Sequence, residues 1–198
     1  ILARLPQRYI ISGDEIMPYL VFINSHDGTG AIKAAMTPIR VVCQNTLNLA
    51  LSAAKRSWSA NHVGDIQGKL EDARRTLFFA ENYMTELGKT IDVLNHKKLS
   101  DQQIYAYTDT LFPMAENATP QQRKNILRLR EEVKSRYFEA PDLKGIGRNG
   151  YRFINAVSDF ATHAKPLKER SNYRESLFAK TVEGNLLIDQ AYQLVQAA

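Results

Sequence analysis

The stretch Asn24–His62, NSHDGTGAIKAAMTPIRVVCQNTLNLALSAAKRSWSANH, decides the fold. Asp27-Gly28 followed by Thr29-Gly30 is a hairpin signal, because glycine supplies the positive φ that tight turns need. A strand is expected from Ala31 to Thr37, with Ile32, Ala34 and Met36 on one face and Lys33 on the other. Thr37-Pro38 reads as an N-cap with proline at the first helical position, which predicts a helix from Pro38 to about Lys55. Ile39, Val42, Leu49 and Ala53 would form its apolar side with Thr46, and Cys43 and Leu47 widen it. Alternation then returns from Lys55 to Val63, placing Arg56, Trp58, Ala60 and His62 on one strand face. The stretch holds the only cysteine, the only tryptophan and two of the four histidines.

Upstream, Arg8–Ile11, a turn at Ser12-Gly13-Asp14-Glu15, and Ile16–Asn24 read as strand, turn and strand. Tyr19, Val21 and Ile23 alternate with Leu20 and Phe22, so both faces of the second strand are apolar. Such a strand is covered on both sides, or its second face meets another subunit or a preceding segment.

Downstream, Ile66, Leu70, Ala73, Leu77, Ala80, Met84, Leu87, Ile91 and Leu94 recur in steps of four and three, which predicts a long helix with a coiled-coil type of seam. Ser100-Asp101-Gln102-Gln103 and Thr119-Pro120-Gln121-Gln122 are capping-box starts of two further helices, the second reaching about Phe138. Ile126, Leu129, Val133 and Tyr137 form the apolar side of that helix. With its arginines and lysines set against Glu131 and Glu132, it carries a local charge of +4. A loop is expected over Glu139–Asn149, then helices at Gly150–Lys165, Tyr173–Thr181 and Glu183–Gln196. The fold class is therefore α+β: a small antiparallel sheet crossed by a helix over residues 1–63, and a helical region over 64–198 packed on it in the same domain.

The chain has 198 residues, 44% of them hydrophobic and 24% charged, an ordinary balance for a folded soluble protein. No apolar run suggests a membrane span. A single cysteine, Cys43, makes no internal disulfide and fits a reducing, cytoplasmic compartment. The opening ILARLPQRYII looks like the middle of a domain, so a preceding segment is expected. A formal charge of +5 favours polyanionic partners.

Several groups are candidates for chemistry. Lys33, Lys55, Arg56 and Trp58 would make a basic and aromatic strand surface for stacking bases and neutralising phosphates; core packing of Trp58 is the competing reading. Arg123, Lys124, Arg128 and Lys134 would make a second basic surface. Gly145-Ile146-Gly147-Arg148-Asn149-Gly150 has dinucleotide-fingerprint spacing but no strand before it, so it reads as a helix lead-in; the sharper alternative is a phosphate held by backbone amides with Lys144, Arg148 and Arg152. Arg152, Asn155, Asp159 and His163 form a polar stripe on the helix that follows, opposite Phe153, Val157, Phe160 and Ala164, and read first as a solvated face. His26, Asp27, Asp159 and His163, with His62 and Asp65 nearby in sequence, could hold a divalent metal or do acid–base work, although no short-range ligand spacing supports this. Asn45 and Asn48 could cap strands or reach a ligand. Cys43, among valines, reads as a small hydrophobe rather than a nucleophile. No cofactor is expected.

TPIRVVCQNTLNLAL with KRSWSANHVGDIQGKL, preceded by LVFINSHDGTGAIK and followed by INAVSDFATHAKP, resembles the phage- and plasmid-encoded domain-of-unknown-function family 932 over nearly the whole chain. The resemblance implies a mobile-element protein in a bacterial cytoplasm and supplies no catalytic residues. In plan alone, the sheet, crossing helix and basic strand are similar to the core of phage single-strand annealing recombinases. The leading expectation is a non-enzymatic protein that binds single-stranded DNA in recombination or replication, plausible as a homo-oligomer. A protein-binding inhibitor of host defence, with a host protein as partner, and a metal-dependent nuclease or hydrolase are the alternatives.

Overall fold

Two residues set the first hairpin. Ser12 (φ 51°) and Gly13 (φ 86°) both take the left-handed conformation, as a two-residue type I′ turn requires. In the computed structural model, which describes residues 1–24, 30–51, 57–61, 65–166, 176, 178, 180 and 184–197, this turn joins β2 (Tyr9–Ile11) to β3 (Asp14–Ile23). The Ser12 hydroxyl donates to Asp92 Oδ1 at 2.9 Å, tying the turn to the long helix. β1 (Leu2–Arg4) pairs with the other half of β3, so two short strands share one edge of it.

β4 (Ile32–Arg40) runs antiparallel to β3 from Ile23↔Lys33 to Ile16↔Arg40, and β5 (Ser57–Ala60) continues the sheet beyond β4. The order is β1-β3-β4-β5, with β2 also on β3. The two strands on either side of residues 25–29 form the expected hairpin; the Asp27-Gly28 turn itself lies outside the described residues.

The helix expected over Pro38–Lys55 is not formed in its described part, residues 38–51. Pro38 sits inside β4 opposite Pro18. The Pro18 carbonyl accepts from Leu5 N and the Pro38 carbonyl from Leu47 N, so the polar groups of this pair point away from each other. Proline's missing N–H therefore removes no bond from the β3–β4 ladder. After Arg40 the chain reverses through Gln44 (φ 55°) and returns beside β4 through an Ile39↔Thr46 bridge. Asn45 to Leu49 are then all buried, at 0–4% exposure. A run buried on every side satisfies helical spacing without being a helix, and valine, threonine and asparagine are weak helix formers.

The helix that lies on the sheet is instead α1 (Ile66–His96), which packs on β2, β4, β5 and α4 (Gly150–His163). Ala80, Met84, Leu87, Ile91 and Leu94 of the predicted seam are buried there, with Tyr83. α2 (Asp101–Leu111) and α3 (Pro120–Glu139) begin at Ser100 and Thr119 with complete capping boxes. α4 is buried over Gly150–Ser158, and α5 (Leu186–Gln196) adds Ile188, Ala191 and Val195 to the interior. The helix expected at Tyr173–Thr181 falls largely outside the described residues.

One apolar cluster takes residues from the sheet and from all five of these helices, from Ile11 to Val195. On the sheet's other face Val21 and Ala35, with Ile23, form a small cluster of their own. The fold is α+β, an antiparallel sheet in the N-terminal half followed by helices. No helix among the described residues is long and apolar enough to cross a membrane.

Candidate nucleic-acid interface

α3 turns Val133 and Tyr137 into the core and leaves Arg123, Lys124 and Arg128 outward, while Arg130, Lys134 and Arg136 are partly covered. Lys124 and Arg128 are exposed and form no ion pair among the described residues. Arg123 is also exposed; its guanidinium donates to the backbone oxygens of Ala118 (3.0 Å) and Glu116 (2.8 Å), which positions it, and no carboxylate among the described residues pairs with it.

Further along α3 the cations meet aromatic rings. Lys134 Nζ lies 5.2 Å from the ring centre of Tyr105, on α2. Tyr105 is half exposed, and its ring is 6.2 Å from that of Phe138. Phe138 in turn carries the Arg148 guanidinium at 5.5 Å. Lys134, Tyr105, Phe138 and Arg148 thus form a ladder of cation, ring, ring and cation across α2, α3 and the approach to α4. Such a surface offers ring and guanidinium faces for stacking and positive charge for phosphates. Its cations also have carboxylates of their own: Lys134 pairs with Glu131 at 2.7 Å and Arg148 with Asp101 at 2.8 Å. The sequence reading named Lys134 and Arg148 but not Tyr105 or Phe138. The available signal was that Tyr105 lies off the Ile104, Thr108, Leu111 stripe that α2 buries.

The proposed strand surface divides. Lys33 pairs with Ser59 and Trp58 with Ala34, so these two candidates point to opposite faces of the sheet. Trp58 shares the core-side face with Ala34 and Met36 and is half-buried. Lys55, Arg56, His26, Asp27 and His62 lie outside the described residues.

Arg152 is withdrawn from any ligand surface. It is buried, and its guanidinium donates to the carbonyls of Tyr137 (2.6 Å), Leu143 (2.9 Å) and Ile146 (2.7 Å), tying the end of α3 to the start of α4. In the glycine-rich lead-in, Gly150 N donates to Lys97 O at 2.9 Å and Arg152 N to the Asn149 side chain at 2.9 Å, so two amides at the start of α4 are already bonded within the chain.

The Asp159–His163 pair exists, with 3.8 Å between Oδ1 and Nε2, but each member has a stronger tie. Arg136 Nε donates to Asp159 Oδ2 at 2.8 Å, and His163 Nε2 lies 3.0 Å from Cys43 O. No group of three or more His, Cys, Asp or Glu among the described residues could hold a metal. Burial pushes the Cys43 thiol above its ordinary pKa, and its Sγ–H donates to Asn45 Oδ1 at 2.7 Å. Asn45 in turn donates to Asn155 O, so it is part of an internal network.

Arg40 was missed altogether. Its guanidinium, 1% exposed, binds Asp14 Oδ1 at 2.8 Å and Asp142 Oδ2 at 2.6 Å, while the Tyr151 hydroxyl donates to Asp14 Oδ2 at 2.9 Å. This network ties β3, β4, the Pro141–Leu143 turn and α4 together.

The fold and this surface define an α+β protein with a basic, aromatic-studded helical face. The chain belongs to the family described as domain of unknown function DUF932, whose family model matches residues 1–186. No curated protein and no solved structure matches it. The matched region ends where α5 begins, so the Ile188, Ala191 and Val195 contribution to the core lies beyond it.

Proposed function

We propose that the chain binds single-stranded DNA through the α2–α3 face, as a phage- or plasmid-encoded protein acting in recombination or replication in the bacterial cytoplasm. The observation that carries this reading is the Lys134–Tyr105–Phe138–Arg148 ladder, with Tyr105 half exposed. Exposed Arg123, Lys124 and Arg128 on α3 supply the accompanying phosphate contacts. Aromatic faces capture unpaired bases, whereas a duplex keeps its bases stacked on one another, so single strands are the preferred form.

The test is binding of a fluorescent oligo(dT) by the wild-type chain and by Tyr105→Ala and Lys124→Gln/Arg128→Gln. Losing one stacking ring costs about 1–3 kcal/mol, which is roughly a 5- to 150-fold weaker affinity. The charge variant is expected to weaken single- and double-stranded binding alike, and Tyr105→Ala to weaken the single-stranded form selectively. Absence of binding at low salt contradicts the reading.

A further inference from the structure

An exposed aromatic side chain loses rotamer freedom when a base stacks on it, so a ring held in place beforehand binds with less loss. Tyr105, half exposed on α2, is such a ring. Lys134 Nζ lies 5.2 Å from its centre, and the Phe138 ring stands 6.2 Å away at 43°. Arg130, earlier on α3, fixes the two helices to each other: its NH1 pairs with Asp109 Oδ1 at 2.9 Å and its Nε donates to Phe112 O at 2.9 Å.

Lys134 differs from the outward cations of the same helix. Its ammonium pairs with Glu131 Oε2 at 2.7 Å, and the lysine side chain is 23% exposed against 72% for the glutamate. The charge is thus held between a carboxylate and a ring, with the carboxylate the more open to water. A strand phosphate reaching it would have to displace Glu131, exchanging one charge-assisted bond for another. Lys124 and Arg128, exposed and without an ion pair among the described residues, meet a phosphate with no such exchange.

We propose that Lys134 is a positioning residue, an assignment that rests on single-strand binding at the α2–α3 face. Held by Glu131, its ammonium sets the Tyr105 ring for stacking on an unpaired base and neutralises no phosphate.

The test is oligo(dT) anisotropy over a salt series with wild type, Lys134→Gln, Tyr105→Ala and the two combined, far-UV circular dichroism being expected to stay unchanged. Lys134→Gln should weaken binding about two- to fivefold, the worth of an exposed cation–π contact, and leave the slope of log affinity against log salt as it was. With Tyr105→Ala already present the same substitution should have no further effect, because no ring remains to be positioned. Lys134→Arg, which keeps a cation over the ring, should retain wild-type affinity. Glu131→Gln, which releases the ammonium to phosphate, should steepen the slope by about 0.7. A slope reduced by about 0.7 in Lys134→Gln overturns the proposal while single-strand binding stands. So does an equal loss from Lys134→Gln with and without Tyr105, a Lys134→Arg variant as weak as Lys134→Gln, or an unchanged slope in Glu131→Gln. Absence of oligo(dT) binding by the wild-type chain at low salt overturns both.

Discussion

Arg40 joins three pieces of chain that are far apart in sequence: Asp14, Asp142 and, through Asp14, Tyr151. Removing one member of a buried pair leaves the other charge uncompensated, a loss of about 3–5 kcal/mol. Arg40→Met is therefore expected to lower the urea-unfolding free energy by about that much; a change under about 1 kcal/mol would contradict the role. Arg40 Nε has no partner among the described residues, so the network is not ideal. Arg40→Met combined with Asp14→Leu should recover much of the loss, because apolar replacement of a whole buried pair is often close to neutral. None of this was legible in the sequence, where Arg40 and Asp142 are 102 positions apart and nothing local marks them as partners. The tyrosines give a pH test. Burial pushes Tyr137 up to about 12 from 10.0 and raises Tyr151 also, with Asp14 adding to the effect. A phenol whose pKa is raised on folding adds stability that is complete below the unfolded value and fades as pH rises through the folded one. Unfolding free energy should accordingly hold to pH 10 and fall between 10 and about 12, and absorbance titration should show a late-ionising tyrosine fraction.

At the scale of elements, local chemistry was readable wherever it was sufficient. The Ser100 and Thr119 capping boxes act within four residues and form as the sequence implies. The Ser12-Gly13 turn and the paired strands around residues 25–29 follow the same logic. Pro38 shows the limit: its meaning depends on Pro18 opposite it, a pairing that only the folded sheet creates. Likewise Tyr105 and Phe138 become one surface only when α2 lies against α3. Gly150 tests the tightest junction of elements. A Cβ there would fall 2.5 Å from Val195 Cγ1 and 3.2 Å from Leu94 O, where α4 meets α5 and α1. Gly150→Ala is expected to destabilise by about 1–3 kcal/mol through overpacking. Adding Val195→Ala should return part of it, since the Leu94 carbonyl stays in place. Additive effects in thermal unfolding would contradict direct contact.

Over the whole molecule, the common core holds α2, α3 and α4 together, and the basic ladder runs across α2, α3 and the approach to α4. The net charge of +5 was visible from composition, but its disposition was not. On and beside α3, Arg130, Arg136 and Arg152 serve internal contacts, while Arg123, Lys124 and Arg128 face outward, joined by Lys134 and Arg148, each of which also pairs with a carboxylate. The most direct measurement is the salt dependence of oligo(dT) affinity by fluorescence anisotropy. Each single-strand phosphate contact contributes about 0.7 to the fall of log affinity with log salt, so a slope between about −2 and −3.5 is predicted. Lys124→Gln/Arg128→Gln should lower its magnitude by about 1.4. A slope near zero, or one that this pair leaves unchanged, would contradict binding at the α2–α3 face.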